Sequence, residues 1–183
     1  MRETMTAVRA HRRGGPQELV VETVALPPLG PDEVLVAVHA VAITFTELEW
    51  DESWTHAPVI PGHEFSGVVE ATGADVSTAE VGDPVFGLIR FDRQGAAADY
   101  VAVPARDISR KPESLSHTET AALPLAGLTA WQGLFDLAKV QPGERVLVLG
   151  GGWWCRCVRC AARQTCRGVR RRDGTRSGCL ICG

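Results

Sequence analysis

Five glycines, Gly67, Gly73, Gly82, Gly87 and Gly95, punctuate short apolar runs between residues 62 and 103. That spacing restricts the segment to short strands joined by bends and tight turns, the pattern of a small β-barrel. Its centre is the stretch 60–70, Ile-Pro-Gly-His-Glu-Phe-Ser-Gly-Val-Val-Glu. Pro61-Gly62 turns the backbone, His63-Glu64 follows at once, and Phe65, Val68 and Val69 then read as a strand interrupted by Gly67. Titratable residues therefore stand at the mouth of a buried strand, where they either cap it or serve a site.

The flanks extend the same architecture. Residues 6–11 and 18–24 are apolar or alternating around Arg13-Gly14-Gly15-Pro16 and predict a hairpin. Pro27-Pro28-Leu29-Gly30-Pro31 is excluded from regular structure, since each proline lacks a donor and restrains its predecessor. Residues 33–42 predict a strand with Val34, Val36 and Val38 on one face and Leu35, Ala37 and His39 on the other. His39 is read as a strand residue rather than a ligand. Residues 84–86 and 99–104 predict further strands. After Pro112 the period changes: Ser116 with Glu119 has capping-box spacing, and residues 129–137 predict a second helix with Leu134 and Leu137 on a buried face. Residues 143–149 then predict a buried strand entering Gly150-Gly151.

The order of these motifs resembles the medium-chain dehydrogenase/reductase superfamily, and within it the zinc-free, quinone oxidoreductase-like, NADP-dependent enzymes. The resemblance rests on 30–36 (Gly-Pro-Asp-Glu-Val-Leu-Val), 60–70, 81–87, 95–104, 121–131 and 142–151, and covers roughly residues 5–151. It implies a mainly β chain: a GroES-like barrel over 1–115, then helices and the first strand of an incomplete Rossmann (α/β) domain over 116–151. A chaperonin-like role does not follow from that barrel, because function resides in sites rather than folds. The resemblance also places residues 42–50 in the active-site segment, with Thr44 where zinc-dependent members have a cysteine. A neutral hydroxyl is a poor zinc ligand, and no metal is expected in the barrel. Thr44 and His63 are the catalytic candidates, Glu47 is a second hydrogen-bonding position, and Glu49 is read as solvated. Trp50 and Trp54 are candidates for lining a substrate cleft. Thr129, Gly150 and Gly151 are the cofactor-binding candidates, Thr129 being read equally as a helix-start cap.

Composition divides at about Gly151. All six cysteines, Cys155, Cys157, Cys160, Cys166, Cys179 and Cys182, follow it, in an Arg-rich segment that also holds Trp153-Trp154. Two indoles and an Arg-Cys run cannot reproduce the close glycine approach and helix start that hold a pyrophosphate. Read one base later, each Trp codon becomes glycine, and the neighbouring codons allow Gly-Gly-Val-Gly-Ala followed by an apolar helix. Residues 152–183 are therefore expected to be an out-of-frame, disordered tail. The alternative takes the tail at face value: Cys155-x-Cys157-x2-Cys160 and Cys179-x2-Cys182 as a zinc-binding appendage on a non-catalytic barrel.

A net charge of -3 gives no reason to expect nucleic acid or an anionic membrane as partner, and no apolar run reaches spanning length. A cytoplasmic protein is expected. The resemblance implies hydride transfer from NADPH to a quinone, enone or carbonyl in the intact enzyme, for which a homodimer is the candidate assembly. Without the complete glycine turn, this chain is expected to be inactive on its own.

Overall fold

The computed structural model describes residues 3–44, 47–144 and 146–148, together with 169–171 and 180–182; at 147–148, 169–171 and 180–182 only the backbone is described. The chain divides into two compact units, Met1–Pro124 and Leu125–Gly183. The first is mainly β. Strands β1 (Thr4–Ala10) and β2 (Leu19–Ala25) form the expected antiparallel hairpin. Strands β3 (Glu33–Ala42), β4 (Glu64–Thr72), β5 (Pro84–Leu88), β6 (Tyr100–Pro104) and β7 (Ile108–Arg110) form a five-stranded antiparallel sheet in the order β6-β3-β4-β5-β7. Single bridges from Ala7 to Ala98 and from Ala10 to Val59 join the hairpin to this sheet's connections.

The core follows the alternation of β3 and its neighbours. Val34 and Val36 pack with Phe65, Val69, Val85, Ile89, Val101 and Val103 in one cluster, while Met5, Ala7, Ile60 and Ala97 form a second beneath the hairpin. The alternation holds only to Val38. Across β4, Val38 faces Gly67 and Ala40 faces Ser66, so His39 is an extra residue in a bulge and stands exposed. Two glycines are required by contact. A Cβ on Gly67 would lie 2.1 Å from the Ala37 carbonyl oxygen, and Gly62, at φ +86°, would place one 2.3 Å from a Val41 methyl. The Pro-Gly turn thereby brings residues 62–64 against the end of β3.

Helix α1 (His117–Ala121) packs on β3, β4 and β5 within the first unit. Its capping box is formed as the sequence indicates: the Glu119 N–H donates to Ser116 Oγ at 3.2 Å, and the Ser116 N–H donates to the Glu119 carboxylate at 2.9 Å.

In the second unit the expected helix over 129–137 is two elements: α2 (Pro124–Trp131) and a π-helical turn, Gln132–Leu137. The start moves back because Pro124 supplies a fixed φ and needs no donor at the first helical position. Leu137 is 81% exposed rather than on a buried face, and Trp131 stacks on Phe135 at 4.5 Å. Strand β8 (Leu147–Val148) lies where the apolar strand was read. Strands β9 (Val169–Arg171) and β10 (Leu180–Cys182) pair with each other, and β10 also pairs with β8. Gly150, Gly151 and the remainder of the Cys-rich tail lie outside the described residues.

Candidate functional site

The end of β3, the turn that follows it and the Pro-Gly-His-Glu segment converge on a buried carboxylate, Glu47. The local sequence accounts for its inward turn. The Glu47 N–H donates to the Thr44 carbonyl at 3.1 Å while its carboxylate accepts the Thr44 N–H at 3.1 Å, a reciprocal arrangement at the three-residue spacing of a cap. The other carboxylate oxygen accepts the Gly62 N–H at 2.7 Å and meets His63 Nδ1 at 2.5 Å. Glu47 and His63 are 2% and 1% exposed.

His63 is held from both sides. Its Nε2 lies 3.2 Å from the Arg93 carbonyl oxygen, and Phe91 meets the ring at 5.0 Å, edge to face. Both hydrogen-bond partners are acceptors. A proton on either ring nitrogen would be donated to the oxygen that nitrogen faces. Neither nitrogen is directed to an open position among the described residues.

Thr44 occupies the more accessible part of the cluster, half-buried, with its hydroxyl making a long 3.5 Å contact to Glu64. Trp50 stacks edge-on against Phe91 at 5.1 Å, which extends the aromatic wall outward from His63. The Trp54 indole instead donates to the Leu48 carbonyl at 2.7 Å, a packing role. Glu49 is exposed, as read. Thr129 lies on α2 in the second unit, exposed, and its hydroxyl donates to the Leu125 carbonyl at 2.7 Å. That bond returns to the preceding helical turn and is not an N-terminal cap.

The structure brings together Thr44, Glu47, His63 and Glu64. Of these, Glu47 carries more of the geometry than the sequence suggests. Its signal is the three-residue spacing from Thr44, which a solvated turn also displays. Phe91 and the Arg93 carbonyl carry no sequence signal, since their contact with His63 depends on how the 90–95 loop closes. On the far side of that loop the Arg93 guanidinium pairs with Glu33 at 2.5 Å. Burial pushes the Glu33 carboxyl up, but the Arg93 hydrogen bond and the Gly30 N–H outweigh it and hold the group below its ordinary value. A cleft of about 970 Å³ opens there, lined by residues including Arg9, Ile60, Gln94 and Tyr100. Among the described residues no group of three or more His, Cys, Asp or Glu is disposed to hold a metal ion.

Residues 30–113 match the alcohol dehydrogenase GroES-like domain. Quinone oxidoreductase-like protein 2 of Mus musculus is 38% identical over 137 residues, covering 72% of this chain and 38% of that protein. The pikromycin polyketide synthase component PikAII of Streptomyces venezuelae is 40% identical over 127 residues, 69% of this chain and 3% of that protein. Among solved structures, an alcohol dehydrogenase superfamily protein from Novosphingobium aromaticivorans matches with a TM-score of 0.78 and 32% identity, covering 88% of this chain and 51% of that one. The quinone oxidoreductase from Coxiella burnetii matches at 0.70 and 30%, covering 77% and 47%. The chain thus spans about half the length, or less, of these relatives. Residues 30–113 thus carry an alcohol dehydrogenase GroES-like domain, and the proteins this chain is similar to are quinone oxidoreductase-like and other members of the medium-chain dehydrogenase/reductase superfamily.

Proposed function

We propose that residues 1–115 are the substrate-side barrel of an enzyme that transfers hydride from NADPH to a quinone, enone or other activated carbonyl without a metal. The observation that carries this reading is the commitment of both His63 nitrogens, to Glu47 and to the Arg93 carbonyl. With Thr44 in the cysteine position, the site offers a hydroxyl and a closed imidazole in place of a thiolate and an open one. Thr44 is then the polar group that faces a developing oxyanion, and the Glu47–His63 pair fixes the turn beside it. A quinone oxidoreductase-like protein and the quinone oxidoreductase of Coxiella burnetii among the relatives support the substrate class.

When bound, the nicotinamide would supply the hydride. On the side of this chain, Thr129, Gly150 and Gly151 would meet the cofactor in a domain beginning at 116, and residues 152–183 would not complete its pyrophosphate site. The working partner is a small molecule, with no nucleic acid or membrane, in the cytoplasm. Among the described residues no helix is long and apolar enough to cross a membrane.

Calorimetric titration with NADPH and a quinone assay test the reading on two proteins, the 183-residue chain and one whose tail is restored to the alternative frame with a full nucleotide-binding domain. No binding is expected from the first, and zinc-independent quinone reduction from the second. Micromolar NADPH binding by the short chain, or chelator-sensitive activity in the restored one, would overturn it.

A further inference from the structure

Away from the Glu47 cluster, a second pair of ring side chains joins α1 to the barrel. His117, the first residue of α1, stacks on His39, the bulged residue of β3, with ring centroids 4.5 Å apart and planes tilted by 32°. His117 Nδ1 lies 2.8 Å from Ser66 Oγ on β4. The Ser66 hydroxyl has one proton and donates it to the Val85 carbonyl at 3.0 Å. It can therefore only accept from His117, which assigns the neutral ring its proton on Nδ1 and leaves Nε2 as the position where a second proton must go.

We infer that the His39–His117–Ser66 contact is an acid-sensitive clasp, which holds α1 on the barrel while His117 is neutral and releases it when His117 becomes an imidazolium. The groups facing His117 come from every neighbouring element. His39 projects from β3, and β4 supplies Ser66. Lys111, whose ammonium donates to the Pro112 and Leu115 carbonyls, stands in the segment leading into α1. Strand β5, the third strand under α1, is Pro-Val-Phe-Gly-Leu and has no titratable side chain. The carboxylate of α1 itself, Glu119, is committed to the Ser116 cap. Among the described residues no carboxylate is thus paired with His117, and the charges acting on it, from His39 and Lys111, have its own sign.

Burial first, then His39 and Lys111, hold His117 below the ordinary histidine range. A folded state that binds its proton less readily than the unfolded chain does is favoured above the unfolded pKa of about 6.5 and loses that advantage as pH falls through the folded value. The clasp is therefore closed at neutral pH and weakens on acidification. α1 is the last complete element of the first unit, and the second unit begins at Leu125. Release would lengthen the free connection between the two units.

The test is made on the full 183-residue chain. Histidine ring NMR should find His117 titrating below the ordinary histidine value of about 6.5, with Nδ1–H as the neutral tautomer. Amide exchange at Thr120, whose N–H donates to the Ser116 carbonyl at 3.0 Å, should lose about tenfold in intrinsic-rate-corrected protection for each unit by which His117 titrates below that value. His117→Phe should keep α1 protected and flatten that dependence, and His39→Gln should move the His117 titration upward. His117 titrating at or above about 6.5, or an unchanged pH dependence of Thr120 protection in H117F, would overturn the proposal. The titration of His117 in the unsubstituted chain decides the matter if either variant fails to fold.

Discussion

His63 and His117 lie in the same unit and take opposite environments. His63 is enclosed, with a carboxylate on one nitrogen and a carbonyl on the other. His117 rests on another imidazole beside a lysine, with a serine hydroxyl as its one assigned hydrogen-bond partner. The difference shows that burial alone does not set what a histidine does. A facing carboxylate makes the ring a fixed strut, whereas facing cations make the contact conditional on pH.

The largest expected effect comes from removing the carboxylate that distinguishes the two. Glu47→Leu leaves His63 Nδ1 buried without its carboxylate partner and orphans the Gly62 and Thr44 N–H groups. A loss of about 3–5 kcal/mol is expected in urea or guanidinium unfolding. Glu47→Gln keeps an amide oxygen for one donor and should lose less. Equal losses for both variants would mean that the carboxylate's charge is irrelevant to His63.

A smaller change sharpens the other side. Ser116→Ala removes the Oγ that accepts from Glu119 and should cost about 1 kcal/mol, read as reduced exchange protection confined to α1. The same loss spread over β3 and β4 would show that the cap stabilises the barrel itself instead of the clasp.

What the sequence made legible follows from where local chemistry dominates. The hairpin, the β3 strand, the Ser116 cap and the placing of His63 at a strand mouth all rest on alternation, turn residues or short spacings, and the structure has each of them. The bulge at His39 was hidden because an extra residue in a strand leaves no mark in the alternation until the partner's register is known. The depth of Glu47 was hidden because its partner His63 is 16 residues away, brought near by the Gly62 turn. The Phe91 and Arg93 contacts are wholly tertiary. Leu137, read by its period as buried, is exposed because the π-helical turn displaces it from the 3.6-residue register.

At the barrel mouth Glu47, His63 and the Arg93 carbonyl form a closed arrangement, with no imidazole nitrogen left open to a metal among the described residues. Nitrogen-15 chemical shifts of the His63 ring, recorded on the full chain with and without one equivalent of zinc, test it most directly. The shifts of both ring nitrogens should stay unmoved by zinc, even if the cysteines of the tail take up the ion. A zinc-dependent shift of His63 Nε2 at stoichiometric metal would contradict the account.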